Sequence, residues 1–295
     1  MELKFAPFTS SINPGFWSAL TKLKLDVLGL KEEALEVHAY YENKFQPTVP
    51  TLLTLDWNAF DHPGSEESIG SSWSAYSSNG VVINYNTLEA FKKFDKNEYL
   101  NSTEGNILYE AMITGGDEPA VLKDPRILTR FVCHMFADLK KYHYYYWFVF
   151  PAFILPPTIQ MSKAVQPISD VLEGEIIQNL AKTYLEWKRS NLIQSGFFWI
   201  QTDPMSIANL KDGFQQLNGD DAILGFADPS SLSDYPGWPL RNLIAFICYY
   251  KPELLIKGNF LYNLFGHVIY SFGLWSIHTY TTPNFSSELC NFNKE

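Results

Sequence analysis

The residue types that most often carry chemistry are present in this chain but do not converge on a reaction. Histidines stand at positions 38, 62, 134, 143, 267 and 278. None forms an H-E-x-x-H pair or an H-x-E followed by P-C-x-x-C, the spacings that gather ligands on one zinc ion. Cys133, Cys248 and Cys290 are odd in number and far apart, so they build neither a disulfide framework nor a C-x-x-C metal site. The G-x-S-x-G elbow of serine hydrolases is missing, as is the G-x-G-x-x-G loop that cradles a nucleotide. The pairs Glu66–Glu67 and Asp220–Asp221 lie in polar stretches and are expected to be solvated rather than acid/base dyads. Catalytic residues and metal ligands are therefore assigned as none.

Two constellations remain, and both suit recognition better than catalysis. Lys140, Lys141 and Tyr142 stand together a few residues before Trp147, inside a run of aromatics. A polar turn between hydrophobic strands needs no function. The functional reading is a surface that meets an acidic segment of a partner, with Trp147 or a neighbouring tyrosine as anchor. Alternation from Tyr142 to Val149 puts large apolar groups on both faces, which predicts a strand buried on each side. The second constellation is Pro236-Gly237-Trp238-Pro239 followed by Arg241 and Asn242. Trp238 either plugs the end of a sheet or faces a partner. Arg241 in the first turn of a helix opposes the helix dipole, which predicts a buried ion pair, with Asp228 or Asp234 as its partner, or a domain contact.

The elements that must hold these residues are legible in the pattern. Asn13 and Pro14 open an amphipathic helix carrying Phe16, Leu20, Leu23 and Val27. Leu35–Tyr41, Thr51–Trp57 and Val81–Tyr85 read as strands, with 61–80 between the last two as a surface loop. Thr87 caps a short helix, and a second runs over Lys96–Ile113 to Gly115–Gly116. Arg130–Phe136 and Tyr142–Phe153 form a hairpin turning at Asp138–Lys141. Beyond it the pattern alternates: helix Ser169–Arg189, strand Phe197–Gln201, helix Ser206–Leu217, strand Ala222–Ala227, helix Leu240–Tyr250. This alternation predicts an α/β fold with mixed or parallel sheets flanked by helices. It further suggests two lobes, residues 1–125 and 126–250, and a tail over 251–295.

Bulk properties narrow the partners. The net charge is −10 with no basic run longer than a pair, so nucleic acid is not expected. The opening MELKFAPFTS has no basic region leading into an apolar one, so no signal peptide is expected. Gly258–Ile277 lacks charged residues, but Asn259, Asn263, His267 and its glycines dilute it, and a membrane span is not expected. A cytoplasmic setting fits the cysteine usage.

The block Phe136-Ala137-Asp138-Leu139-Lys140-Lys141-Tyr142-His143-Tyr144-Tyr145-Tyr146-Trp147, then Phe150-Pro151-Ala152-Phe153, resembles a signature of the E1-like activating enzyme of autophagy. Phe5-Ala6-Pro7-Phe8, Gly15-Phe16-Trp17, Lys24-Leu25-Asp26, Tyr85-Asn86-Thr87-Leu88-Glu89-Ala90-Phe91, Asp95-Lys96 and the stretch Pro236–Asn242 agree in the same order. The resemblance spans about residues 3 to 250 and implies the two-lobed N-terminal domain of that family, which recruits the pathway's E2-like conjugating enzymes. It makes Lys140, Lys141, Tyr142, Trp147, Trp238 and Arg241 candidate E2-binding residues. In that family a separate C-terminal domain uses ATP to adenylate the ubiquitin-like protein, carries the catalytic cysteine and forms the homodimer. None of its motifs occurs here, so the chain is expected to need no cofactor and to form no thioester. Sequence after Tyr250 departs from the family, and its expected final strand is not recognisable in 259–295, which reads as a truncated product with an aberrant tail that could leave the second lobe without its last core strand. Two alternatives stay open: an independent α/β enzyme acting on a small molecule, and a product without function.

Overall fold

The computed structural model describes residues 3–5, 9–42, 52–61, 75–113, 118–155, 159–161, 168–170, 172–191, 196–216, 222–228, 237–251, 260–264, 272–275 and 277–279. Contacts divide the chain into two compact units. One comprises Lys4–Asn106 with Thr129–Pro151, and the other Met1–Leu3, Ile107–Leu128 and Ala152–Glu295. The chain passes between them within the short strands β1 (Leu3–Phe5) and β8 (Pro151–Phe153), and again between Asn106 and Ile107 and between Leu128 and Thr129. A single cut near residue 125 differs from this division.

The first unit is built on a six-stranded mixed sheet of order β2-β4-β3-β5-β6-β7. Its strands are β2 (Ser10–Ile12), β3 (Ala34–Glu42), β4 (Leu52–Leu55), β5 (Ala75–Tyr85), β6 (Phe131–Asp138) and β7 (His143–Val149). β5 and β6 pair in parallel from Gly80↔Phe131 to Tyr85↔Phe136, which ties 129–151 to the N-terminal segments. Gly80 suits this contact, because a Cβ there would stand 2.5 Å from the Phe131 carbonyl. β5 begins at Ala75, inside the stretch read as loop, and pairs with β3 from Ala75 upward. Its polar Ser78 is buried and donates to the Thr129 carbonyl, so a strand that looks polar is satisfied internally.

Helices cover both faces of this sheet. α1 (Pro14–Leu23) runs on into a π-helical turn at Lys24–Leu28 and buries Phe16, Trp17 and Leu20. Val27, expected on its inner stripe, is 68% exposed because the change of pitch turns it outward. Asn13 takes the cap position, but its side chain donates to Asp56 rather than accepting from the helix. α2 (Leu88–Lys93) is capped by the Thr87 hydroxyl, and α3 (Lys96–Tyr99) by Asp95.

The second unit carries a five-stranded sheet of order β11-β10-β12-β13-β14. β9 (Ile159–Met161) pairs antiparallel with β15 (Ile277–Thr279), distant in sequence, in a separate two-stranded sheet. In β10 (Phe197–Thr202) successive residues face opposite ways. Phe198 and Ile200 pack with Tyr184 and Leu180 of α6 (Gly174–Ser190). Phe197 and Trp199 join Leu108 and Met112 of α4 (Gly105–Ile113), Val121 and Leu122 of α5 (Ala120–Lys123), Phe214 of α7 (Leu210–Gln216) and Phe246 of α8 (Pro239–Tyr250). Each such ring, fully buried, stabilises the fold by about 1.5–3 kcal/mol.

Two expectations are corrected in this unit. Ser206–Leu217 is not one helix. Its first residues form β11 (Met205–Asn209), antiparallel to β10, and α7 follows. The sequence after Tyr250 does not leave the sheet short of a strand either. β13 (Phe260–Leu264) lies parallel to β12 (Ala222–Asp228) from Leu224↔Phe260 to Asp228↔Leu264, and β14 (Phe272–Trp275) extends it. Among the described residues no helix is long and apolar enough to cross a membrane.

Candidate partner-binding site

The β6–β7 hairpin gathers four of the six candidate residues. Its strands pair one to one from Val132↔Val149 to Asp138↔His143. The Asp138 carboxylate closes the turn by accepting from the amides of Lys140 and Lys141, each at 3.2 Å. Tyr142 then takes a left-handed backbone, φ 55°, a conformation that costs a non-glycine residue about 1–2 kcal/mol. The turn projects Lys140, Lys141 and Tyr142 outward, all exposed.

β7 was expected to be buried on both faces, and it is not. It is the last strand of its sheet, so its rings sit at an edge rather than in the interior. Tyr145 and Tyr146 remain 38% and 43% exposed, and Tyr142 77%. Tyr144 and Tyr146 face α1, where Trp17 stacks on Tyr144 at 4.3 Å and touches Tyr146 at 5.9 Å. Trp147 faces the other way, toward His134 and Phe94, with the Lys96 ammonium 3.8 Å above its ring. A cation so placed is held by the ring quadrupole, by about 0.5–1 kcal/mol at an exposed site.

Beneath Trp147 the hairpin is core. His134 is buried, with the Phe94 ring tilted against it at 3.7 Å and Tyr99 edge-on at 4.9 Å, and shares a 3.1 Å hydrogen bond through Nδ1 with the Tyr85 hydroxyl. Burial, aided by the nearby Lys96 charge, pushes the imidazole down to about 4. It is therefore neutral, and the same desolvation pushes the Tyr85 phenol up to about 12.

The second constellation leads into α8. Trp238 is buried, 5% exposed, which withdraws it from any surface. Asp228, buried at the end of β12, accepts the Gly237 amide at both oxygens, 2.9 and 3.1 Å. It thus holds the turn before α8 rather than the expected partner Arg241, which is exposed. Asp234, the other suggested partner, lies outside the described residues, as do Pro236, Glu66–Glu67 and Asp220–Asp221. Sequence reading named Asn242 beside Arg241 but gave it no role. Fully buried, it donates to the Leu128 carbonyl at 2.9 Å and accepts from the Phe153 amide at 3.0 Å.

No group of three or more metal-ligating side chains occurs among the described residues. Cys133 and Cys248 are buried, and burial raises both thiols, Cys248 to about 12. Neither is a thiolate nucleophile at neutral pH. Among the described residues the hairpin offers aromatic surface, flanking cations and the last strand of its sheet. Sequence reading allowed a tyrosine near Trp147 as an anchor without singling out Tyr145 or Tyr146, and it missed Lys96, whose place over Trp147 no spacing encodes.

The family described as "Ubiquitin-like modifier-activating enzyme ATG7 N-terminus" matches residues 3–257. The ubiquitin-like modifier-activating enzyme ATG7 of Gallus gallus is 38% identical over 248 residues, covering 82% of this chain and 34% of the relative. That of Homo sapiens is 33% identical over 253 residues, with the same shares. The chain thus spans about a third of the length of the curated relatives it matches. Among solved structures, Kluyveromyces marxianus Atg7NTD superposes with a TM-score of 0.63 at 20% identity, covering 96% of this chain and 92% of that one. The same yeast domain in its complex with Atg10 gives 0.58 at 22% identity, covering 95% and 88%. The structural likenesses establish the α/β fold.

Proposed function

Because the chain belongs to the family of the N-terminus of the ubiquitin-like modifier-activating enzyme ATG7, we propose that it recruits E2-like conjugating enzymes in autophagy. It would do so without catalysing a reaction itself. In this reading the chain holds the E2 while another part of the whole family protein adenylates the ubiquitin-like protein with ATP and carries the thioester. That other part would also form the homodimer. The chain described here needs no cofactor for its share, and it works in the cytoplasm.

The observation that carries the reading is the display of Lys140, Lys141, Tyr142, Tyr145 and Tyr146 on one exposed hairpin whose inner side is locked core. Aromatic anchors on a rigid support lose little entropy on binding, and a few of them dominate an interface. Support also comes from the yeast neighbour, whose structure was solved in complex with Atg10. Of the six candidates, Trp238 is withdrawn by its burial. Lys140, Lys141, Tyr142 and the exposed Arg241 are retained as contact residues, with Trp147 as the support of the hairpin. Titration calorimetry of an Atg10-type E2 into the folded chain tests the proposal. Saturable one-to-one binding is expected, and its absence with a cooperatively folded sample overturns it.

A further inference from the structure

We infer that the segment 88–99 is an acid-released flap, latched onto the first sheet by the neutral His134 side chain and let go when that ring takes up a second proton. This device goes beyond E2 recruitment and does not depend on it. The segment holds α2 and α3, six and four residues long, and neither helix buries a residue fully. Its two ends are fixed instead. Before it, the Asn86 side chain accepts from Lys24 Nζ and donates to the Leu30 carbonyl, each at 2.7 Å. After it, Leu100 is buried. Between these anchors the flap lies on the sheet through its rings. Phe91 and Phe94 meet Tyr85, each at 6.1 Å, while Phe94 and Tyr99 close over His134. Short elements with little buried surface open at lower cost than the whole fold.

His134 is the part of this contact that can change its charge. Its Nδ1 shares a hydrogen bond with the Tyr85 hydroxyl, while its Nε2 is buried with no hydrogen-bond partner among the described residues. A second proton on the ring leaves an N–H at Nε2 that donates to nothing, on a cation taken out of water. The groups around it do not offset that charge. From β5 comes the Tyr85 phenol, on which the Glu32 carboxylate acts. From the flap come Tyr99 and Lys96, and the Lys96 ammonium repels an imidazolium. Asp95 is occupied in capping α3, and Glu89, Lys92, Lys93 and Glu98 are exposed. From β7 comes the Trp147 indole, with His143 exposed further along. On β6 itself, Asp138 holds the turn. Opening the flap admits water to the ring, so protonation and release are coupled. The closed ring titrates at about 4 and a solvated one at 6.5. The latch is therefore complete above about pH 6.5 and weakens as pH falls toward 4.

Hydrogen exchange of the full chain at pH 7 and pH 5, with each rate divided by that of an unstructured amide at the same pH, reads the latch. Protection is expected to fall about twentyfold at the Phe91 and Tyr99 amides, which donate to the Thr87 and Asp95 carbonyls. β10 should keep its protection, and His134→Phe should hold that of the flap at both pH values. A loss of the same size in His134→Phe, or one shared by β10, overturns the proposal, as does unchanged protection in the unaltered chain. Should His134→Phe fail to fold, a ring-proton titration of His134 in the unaltered chain replaces it. A midpoint depressed below 6.5, with flap protection falling as the ring charges, supports the latch. A midpoint at the ordinary value, or a depressed one without any loss of flap protection, overturns it.

Discussion

The β6–β7 hairpin and the turn into α8 both carry recognisable family segments, yet they use their aromatics in opposite ways. In the turn, Trp238 is buried, Asp228 clamps Gly237, and Asn242 bridges two strand and loop carbonyl–amide sites. In the hairpin, only the inner layer is fixed: His134 lies under Trp147, while Tyr142, Tyr145 and Tyr146 keep exposed surface. Two motifs of equal visibility thus have different reasons to exist. One is specified by polar atoms that must be satisfied out of water, the other by a scaffold that presents rings to it.

The largest effect should come from breaking the buried motif. Asn242→Leu leaves the Leu128 carbonyl and the Phe153 amide without their partner, and each orphaned group costs about 1–3 kcal/mol. A loss of about 2–5 kcal/mol in urea unfolding is expected, and a neutral change would remove the distinction drawn here. Acid should find the hairpin's inner layer next. The folded His134 titrates at about 4 against 6.5 for the free group, so the unfolded chain binds the extra proton first. Its contribution is complete above about pH 6.5 and is lost as pH falls toward 4, by about 3 kcal/mol in all. His134→Phe should flatten that part of the stability–pH curve. If both proteins lose stability in parallel, the neutral buried histidine is not the cause.

A third change sharpens the comparison within the second unit. A Cβ at Gly213 would lie 1.9 Å from the Trp199 ring, so Gly213→Ala must push α7 off the sheet. A destabilisation of about 1–3 kcal/mol is expected, as for other overpacked cores, and circular dichroism during thermal melting would register it.

Much of this fold could be read from periodicity. Phe16 and Leu20 announced α1, Thr87 the start of α2, and the alternation around Asp138–Lys141 a hairpin. What escaped was set by pairing over long separations. Met205–Asn209 contains helix-compatible residues and becomes a strand only because Trp199↔Ala208 and its neighbours pair. The aromatics of β7 look the same in sequence whether a strand is central or at an edge, and only the sheet order reveals that they are displayed. Asn242 is an ordinary polar residue until α8 is placed between Leu128 and Phe153.

The smallest expected change in stability accompanies the most decisive change in binding. Lys140→Glu with Lys141→Glu alters two exposed side chains, so the melting curve should move by no more than the equivalent of about 0.5 kcal/mol. Titration calorimetry of an Atg10-type E2 against this variant and the unaltered chain measures the central claim. Weakening by tenfold or more in an equally stable protein is the predicted result. Unchanged affinity would place E2 recruitment elsewhere on the domain.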